Sequence, residues 1–317
     1  MKDESHLSSK PCPICDEKER KLLFRAPSLD AMSAEEFDIV RCSGCGLVST
    51  LFEGSDEELG EFYGSMYYAS PRSFFNYLKS AFIRALKVRK IEFHVPGGKI
   101  LDIGCGDAAF LSALNSGRWE KYCMETGEVP GTGRKAIDTC ITDYLSECGY
   151  PLEFFDVISL WASYEHVRTP SRMLHEIHGI LKGSGLLFIS VPNISSFQAR
   201  AFREDWFALD PPRHLFHYDL NTITVLLERH GFEVFKAEKF SFEYGPFLFL
   251  QSMLNRMGSR YNSLYHTMKG ARKLTPQILY DLSLSLAFGL HALLFSLFES
   301  LSEKGGGQIH VYAKKKI

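Results

Sequence analysis

Short apolar runs alternate with segments in which apolar residues recur at intervals of three and four. The compact runs Lys99–Ile103, Trp119–Met124, Asp138–Thr142, Phe154–Trp161, Gly185–Val191, Phe232–Phe240 and Gln308–Ala313 predict strands. Between them, the spacing predicts helices over Ala108–Asn115, Pro170–Leu181 and Asn221–His230. Strand–helix alternation of this kind predicts an α/β fold with a doubly wound, mostly parallel sheet. Thr169-Pro170 reads as a helix start, a capping hydroxyl followed by a ring that presets the first turn. Lys182-Gly183 reads as a helix stop. No internal repeat or low-complexity stretch interrupts the pattern.

Two segments depart from the alternation. Along Pro71–Lys90, Phe74, Phe75, Leu78, Phe82 and Leu86 fall at helical spacing. Arg72, Lys79, Arg84, Lys87, Arg89 and Lys90 stand among them with no acidic residue, an amphipathic basic helix. It either packs on the core or lies on anionic lipid. The tyrosines Tyr63, Tyr67 and Tyr68 precede it. From about Tyr244 to Glu303 some sixty residues separate the last two strands, ending in ILYDLSLSLAFGLHALLFSLFESL. No charged residue appears between Leu282 and Phe298, 17 residues and short of the ~20 that span a bilayer. Asp281, Ser285, Gly289, Ala292, Ser296, Glu299 and Glu303 mark one small or polar stripe on an otherwise apolar helix. Such a helix packs on the core, joins a second copy in a homodimer, lies at a membrane or lines a path for a lipid-like substrate.

Composition narrows the class. The 317 residues carry 36 Lys and Arg against 38 Asp and Glu, a net charge of −2. A near-neutral chain has no electrostatic footprint for nucleic acid, and none is expected as a partner. Apolar residues make up 45% and charged residues 23%, the balance of a chain that builds a core without disulfides. The opening MKDESHLSSK has no apolar secretory run, so a cytoplasmic location, with contact at the membrane periphery, is the expectation.

Of eight cysteines, four form two CxxC pairs, Cys12 with Cys15 and Cys42 with Cys45. In a reducing compartment two such knuckles predict a structural zinc ribbon, because four thiolates close the tetrahedral shell of the metal. The 26 residues between Cys15 and Cys42 imply a hairpin, with strands near Leu22–Arg25 and Phe37–Arg41. Gly44 and Gly46 supply the second turn with backbone freedom. Cys105, Cys123, Cys140 and Cys148 are scattered.

The sharpest motif is KILDIGCGDAAF, Lys99–Phe110, a strand running into Gly104-Cys105-Gly106 and then a helix. Glycines there let a ligand press on bare backbone, and the following helix offers N–H groups. Gly104, Gly106 and Ala109 also satisfy a relaxed dinucleotide fingerprint, which keeps an NAD-linked oxidoreductase open as an alternative. Asp102 before the glycines suits a cationic amine, and Glu125 at the end of the next strand suits ribose hydroxyls.

LDIGCGDA resembles the first motif of class I S-adenosylmethionine-dependent methyltransferases, preceded in part of that family by a four-cysteine segment. Phe155–Asn193 resembles the family's fourth and fifth strands with the helix between, DPPRHLFHY (Asp210–Tyr218) a segment of one subgroup, and GQIHVYAKK the last strand, which inserts antiparallel. The resemblance implies a Rossmann-like core with a seven-stranded, mostly parallel sheet over 97–243 and 305–317. A zinc-ribbon-like segment over 1–50, a helical linker over 51–96 and a helical insertion over 244–304 complete it. It implies that Asp102, Gly104, Cys105 and Gly106 hold the amino-acid part of S-adenosylmethionine and that Glu125 takes the ribose. Asp143 and Tyr144 would flank the adenine and Trp161 would line the cleft. Ala108 stands where the motif has its third glycine.

A sulfonium methyl is already activated, so the enzyme aligns the acceptor, and a hydroxyl acceptor needs a base. His214, His217 and His166 are the candidates, with Glu165 beside His166 at the position of the family's Glu-His pair. The expected reaction is methyl transfer to a small molecule, a hydroxyl of a sugar, quinone-like or lipid-linked acceptor. The alternative from another class is a non-catalytic zinc-ribbon module that senses the cofactor.

Overall fold

The computed structural model of the chain describes residues 11–29, 35–63, 81, 85–126, 137–259, 262–268 and 275–316. In chain order the first elements are β1 (Arg20–Pro27), β2 (Glu36–Cys42), β3 (Val48–Thr50) and α1 (Asp56–Glu61), followed by α2 (residues 85–92). Next come β4 (Gly98–Ile103), α3 (Ala109–Ala113), β5 (Trp119–Glu125), β6 (Ile137–Ile141) and β7 (Phe155–Trp161). Then follow α4 (Pro170–Ile180), β8 (Leu181–Pro192), α5 (Phe197–Phe202), β9 (Phe216–His217), α6 (Leu220–Arg229) and β10 (Phe232–Glu238). The chain closes with α7 (Gly245–Arg256), α8 (Ser263–Met268), α9 (Pro276–Ser300) and β11 (Gln308–Lys315). All seven expected strands form, as do the three expected helices. The basic segment Pro71–Lys90 lies outside the described residues except for 81 and 85–90, the latter within α2.

The chain divides into two compact units. The first gathers Met1–Pro71, Pro192–Ile223 and Glu238–Ile309, the second Arg72–Val191, Thr224–Ala237 and His310–Ile317. The polypeptide passes from one to the other five times, after residues 71, 191, 223, 237 and 309.

The second unit carries the seven-stranded sheet, in the order β10-β11-β8-β7-β4-β5-β6. It is mostly parallel, with one antiparallel strand. Strands buried on both faces read as unbroken apolar runs, which is why Phe155–Trp161 shows no alternation. Ile100, Leu111, Trp119, Val157, Phe188 and Tyr312 share its core. Parallel register sets Asp102 opposite Cys123 on β5 and Ser159 on β7. The carboxyl ends of β4, β5 and β7 therefore meet along one edge, the place where open α/β sheets bind ligands.

The first unit carries a four-stranded sheet, β1-β2-β3-β9, with antiparallel pairs. Ala26, Ile39 and Val48 from the sheet pack with Trp206, Leu209 and Leu248. β3 and β9 span three and two residues, too short for a two-residue period to register in the sequence. In α9 the stripe Ile278, Asp281, Ala292, Ser296 and Glu299 is buried, while Leu286 stays 89% exposed.

The helix start at Thr169-Pro170 holds, with α4 beginning at Pro170, but the capping hydroxyl and the helix stop are corrected. Thr169 makes no capping hydrogen bond through its side chain. Lys182-Gly183 does not stop the helix either, because α4 ends at Ile180 and Leu181 enters β8 directly.

Candidate functional site

β4 ends inside the second unit on a buried carboxylate. Asp102 is 3% exposed and accepts a 2.6 Å hydrogen bond from Ser159 Oγ. Burial pushes its carboxyl up to about 7, against the Ser159 hydrogen bond and Lys87, which pull it down; the Glu125 charge adds to the rise. The chain then bends sharply. Gly104 takes φ +73° and its N–H donates to Met124 O at 2.8 Å. A Cβ at Gly104 would stand 2.5 Å from Ser163 Cβ, whose hydroxyl donates to Ile103 O at 2.7 Å. Gly106 takes φ +54° with open space where a Cβ would be, and Ala108 takes φ +52°. The left-handed position at Ala108 explains why the motif places a glycine there.

Glu125 closes the bend from β5. Its Oε2 accepts the Gly106 N–H at 2.8 Å and its Oε1 the Thr126 N–H at 3.0 Å. The segment after β6 returns beside it through Thr142 N–H, which donates to Glu125 O at 2.9 Å. Asp143 and Tyr144 follow, both exposed, with the Arg172 guanidinium 4.6 Å from the Tyr144 ring. Trp161, at the end of β7, packs on Phe110 and Phe188 with ring centroids 5.4 and 4.2 Å away. Its buried Nε1 has no hydrogen-bond partner among the described residues. Lys87 of α2 holds Nζ 4.9 Å from the same ring. Lys87 stood in the sequence only as one of a row of basic residues, and nothing in the spacing set it apart.

Cys105, which the resemblance implies at the donor's amino-acid part, is bonded to Cys123 of β5, and Cys140 to Cys148. The bend is thereby tied to the neighbouring strand. The 18 residues between the first pair in sequence conceal a contact that only strand register creates.

Glu165 and His166 lie in a 3-10 turn after β7, Glu165 buried at 1% exposure and His166 partly so. His166 N–H donates to Ser163 O, so the turn also backs the glycine bend. His214 belongs to the first unit, in the turn before β9. The Ala208 carbonyl lies 2.8 Å from its Nδ1 and can only accept, so Nδ1 carries the proton and Nε2 is the basic nitrogen of the neutral ring. Asp210 Oδ2 is 3.8 Å from Nε2, and the Asp210 carboxylate also grips Arg213 at 2.7 and 3.0 Å. His217 is corrected: it is buried in β9 against Thr50 Oγ1 at 2.9 Å, and burial pulls its imidazole down to about 3. Such a ring does not gain a proton near neutrality, and it serves the sheet.

The four knuckle cysteines come together in the first unit. One Sγ from each lies within 4.8 Å of the others, with Cys12–Cys45 at 3.5 Å and Cys15–Cys42 at 3.4 Å. Tetrahedral zinc with Zn–S of about 2.3 Å calls for sulfurs about 3.8 Å apart, and the cluster fits it. Gly46 takes φ +81°, and a Cβ at Gly44 would stand 3.0 Å from Cys15 Sγ. Burial raises Cys15 and Cys45. At Cys42 burial pushes the same way, and the Cys45 and Gly44 N–H groups, with the Cys15 and Cys12 thiols, overcome it to bring the thiol down to about 7.

A family model described as a methyltransferase domain matches residues 75–237, just over half of the chain. A ubiquinone biosynthesis O-methyltransferase of Azotobacter vinelandii is 29% identical over 121 residues, 35% of this chain and 52% of that protein. The chain thus matches about half the length of that curated relative. Among solved structures, a phospholethanolamine N-methyltransferase 2 of Haemonchus contortus, in complex with phosphomonomethylethanolamine and S-adenosylhomocysteine, aligns with TM-score 0.50 and 12% identity. That alignment covers 93% of this chain and 71% of the other. A SAM-dependent methyltransferase from Archaeoglobus fulgidus aligns with TM-score 0.48 and 17% identity, over 74% and 94% of the two chains.

Proposed function

The chain belongs to the methyltransferase domain family, and from that premise we propose that it methylates a hydroxyl of a small acceptor, a sugar, quinone-like or lipid-linked molecule. One observation supports the donor assignment above the others: the Gly104–Gly106 bend lies between a buried carboxylate on β4 and a second on β5. The buried Trp161 Nε1 at the end of β7 adds an N–H without an acceptor among the described residues.

In this reading Asp102 faces the donor's ammonium, and Gly104, Cys105 and Gly106 offer backbone to its amino-acid part. Glu125 takes the ribose, with a lone pair left on Oε2 beside the Gly106 N–H, since each carboxylate oxygen accepts more than one hydrogen bond. Asp143 takes the adenine amine, Tyr144 lies along the ring and Trp161 lines the methionine side. The bound sulfonium supplies an activated methyl group. Alignment and proton removal then fall to the protein. His214 Nε2 takes the hydroxyl proton, with Asp210 Oδ2 3.8 Å from that nitrogen. Glu165 and His166 position the turn behind the bend. A hydroxyl acceptor agrees with the O-methyltransferase name of the curated relative. A structural zinc at Cys12, Cys15, Cys42 and Cys45 accompanies the proposal, because four thiolates leave no open coordination position for chemistry.

The full chain is titrated with S-adenosylhomocysteine by calorimetry and then incubated with methyl-labelled donor and cell extract. Binding and a labelled small molecule carrying a new methyl ether are expected; no heat of binding overturns the donor site. His214→Asn should lower turnover about 100-fold with donor affinity unchanged. Unaltered turnover removes His214 from the mechanism.

A further inference from the structure

The helix α9 is built inside out, and what covers its outward face is the question the first unit poses. Its carboxylates and Ser296 point inward, while Ser283 and His291 are the polar side chains left exposed between Leu282 and Phe298. Asp281 is fully buried and accepts from Ser259 Oγ at 2.7 Å, from Ser263 Oγ and from Gln277 Nε2 at 3.0 Å. Near the other end, Glu299 is 2% exposed and accepts from the N–H and the Nε2 of Gln198, both at 2.9 Å. Its large apolar residues point outward: Leu286 is 89% exposed, Phe298 75%, Leu290 65%, Leu279 58% and Leu294 56%. A helix that packs against a water-soluble protein shows the opposite polarity.

Three observations favour lipid over a second protein copy. At 100° per residue, the exposed apolar positions from Leu279 to Phe298 sweep about two-thirds of the circumference, wider than the seam that a partner helix covers. The hydroxyls along the exposed part satisfy themselves: Ser283 Oγ donates to Tyr280 O at 2.7 Å and Ser300 Oγ to Leu297 O at 2.6 Å. Hydroxyls bonded back to their own helix ask for no partner from whatever covers them, as a hydrocarbon phase requires. No charged residue falls between Leu282 and Phe298. The helix has the length and composition to cross a bilayer, yet Asp281 and Glu299 hold both of its ends to one unit. That attachment lays it along a membrane instead of through it.

We propose that the outward face of α9 docks the chain on a phospholipid bilayer, with the helix in the plane of the interface and its Leu and Phe side chains among the acyl chains. The proposal stands apart from the methyl-transfer reading, since α9 can dock on lipid whatever the other unit catalyses.

Flotation of the full chain with vesicles of phosphatidylcholine, and of phosphatidylcholine with one-fifth phosphatidylglycerol, tests it at 0.5 M NaCl, where charge attraction is screened. The chain should rise with both. The triple variant Leu286→Glu, Leu290→Glu, Leu294→Glu, altered only at exposed positions, should stay at the bottom with unchanged circular dichroism and S-adenosylhomocysteine affinity. Should that variant misfold, Leu286→Trp answers separately, its added fluorescence being quenched by brominated acyl chains. An unaltered chain left at the bottom with both vesicles, a triple variant that still floats, or added fluorescence in Leu286→Trp that brominated lipid leaves untouched overturns the proposal. A dimer that the triple substitution dissociates, without vesicle binding by the unaltered chain, assigns the face to a second copy and overturns it equally.

Discussion

At Asp102 a carboxyl group sits where ionisation is costly, and that has two measurable consequences. Its folded value of about 7 exceeds the ordinary 3.8, so between those values the folded chain holds a proton that the unfolded chain has released. Stability therefore falls through this group as pH rises across that window, and Asp102→Asn should flatten the fall in melting temperature. A ligand ammonium reverses the balance by favouring the carboxylate. Binding of S-adenosylhomocysteine at pH 6 should release close to one proton, seen as a dependence of calorimetric heat on buffer ionisation enthalpy. The release should vanish at pH 8.5 and in Asp102→Asn; a release that persists in the variant would assign the proton elsewhere. The two glycines differ for a steric reason. Gly106→Ala meets open space and should cost about 1 kcal/mol for its left-handed backbone. Gly104→Ala adds a contact of 2.5 Å with Ser163 Cβ and should cost upwards of about 2 kcal/mol, with donor affinity lost. Equal melting temperatures would contradict this account. Asp102, Gly104 and Glu125 were legible because motif and strand end mark them. Lys87 and the Cys105–Cys123 bond were not, since both depend on which elements become neighbours.

Among the elements, the two cysteine turns show how local spacing becomes a site. β1 and β2 pair with Arg20 opposite Cys42, and this register brings the turn before β1 to the turn after β2. The CxxC spacing announced the turns and the gathering of their four thiols. It did not announce β3 and β9, which complete the sheet through two paired positions, Val48 with His217 and Ser49 with Phe216. The parallel strands were legible throughout because their apolar runs are long. The end of α4 was not, because Gly183 lies in a strand that starts without a loop. If the cluster holds zinc, metal analysis of the full chain finds one ion per molecule. Cys42→Ser should lose it, with a melting temperature lower by about 5 °C or more. A metal-free chain that melts as the untreated protein does would refute the zinc.

For the whole molecule, the family match and the units do not share boundaries. Residues 75–237 include Pro192–Ile223 of the first unit and omit β11, which lies between β10 and β8. Without β11, Phe188 loses the Tyr312 ring 5.0 Å away, and Gly231 O loses the N–H of Lys316. A chain cut to 75–237 should therefore aggregate and show no heat with S-adenosylhomocysteine, whereas the intact chain binds it. Soluble, binding-competent 75–237 would show that the matched stretch folds alone. The alternation of strands and helices disclosed the sheet but not the division, because a chain that crosses between units five times leaves no linker to read. That same weaving bears on descent. Neither unit is spelled by one uninterrupted stretch of gene, so no single exchange of a continuous segment replaces either half whole. Change within either unit then falls to substitutions spread over its three separate segments.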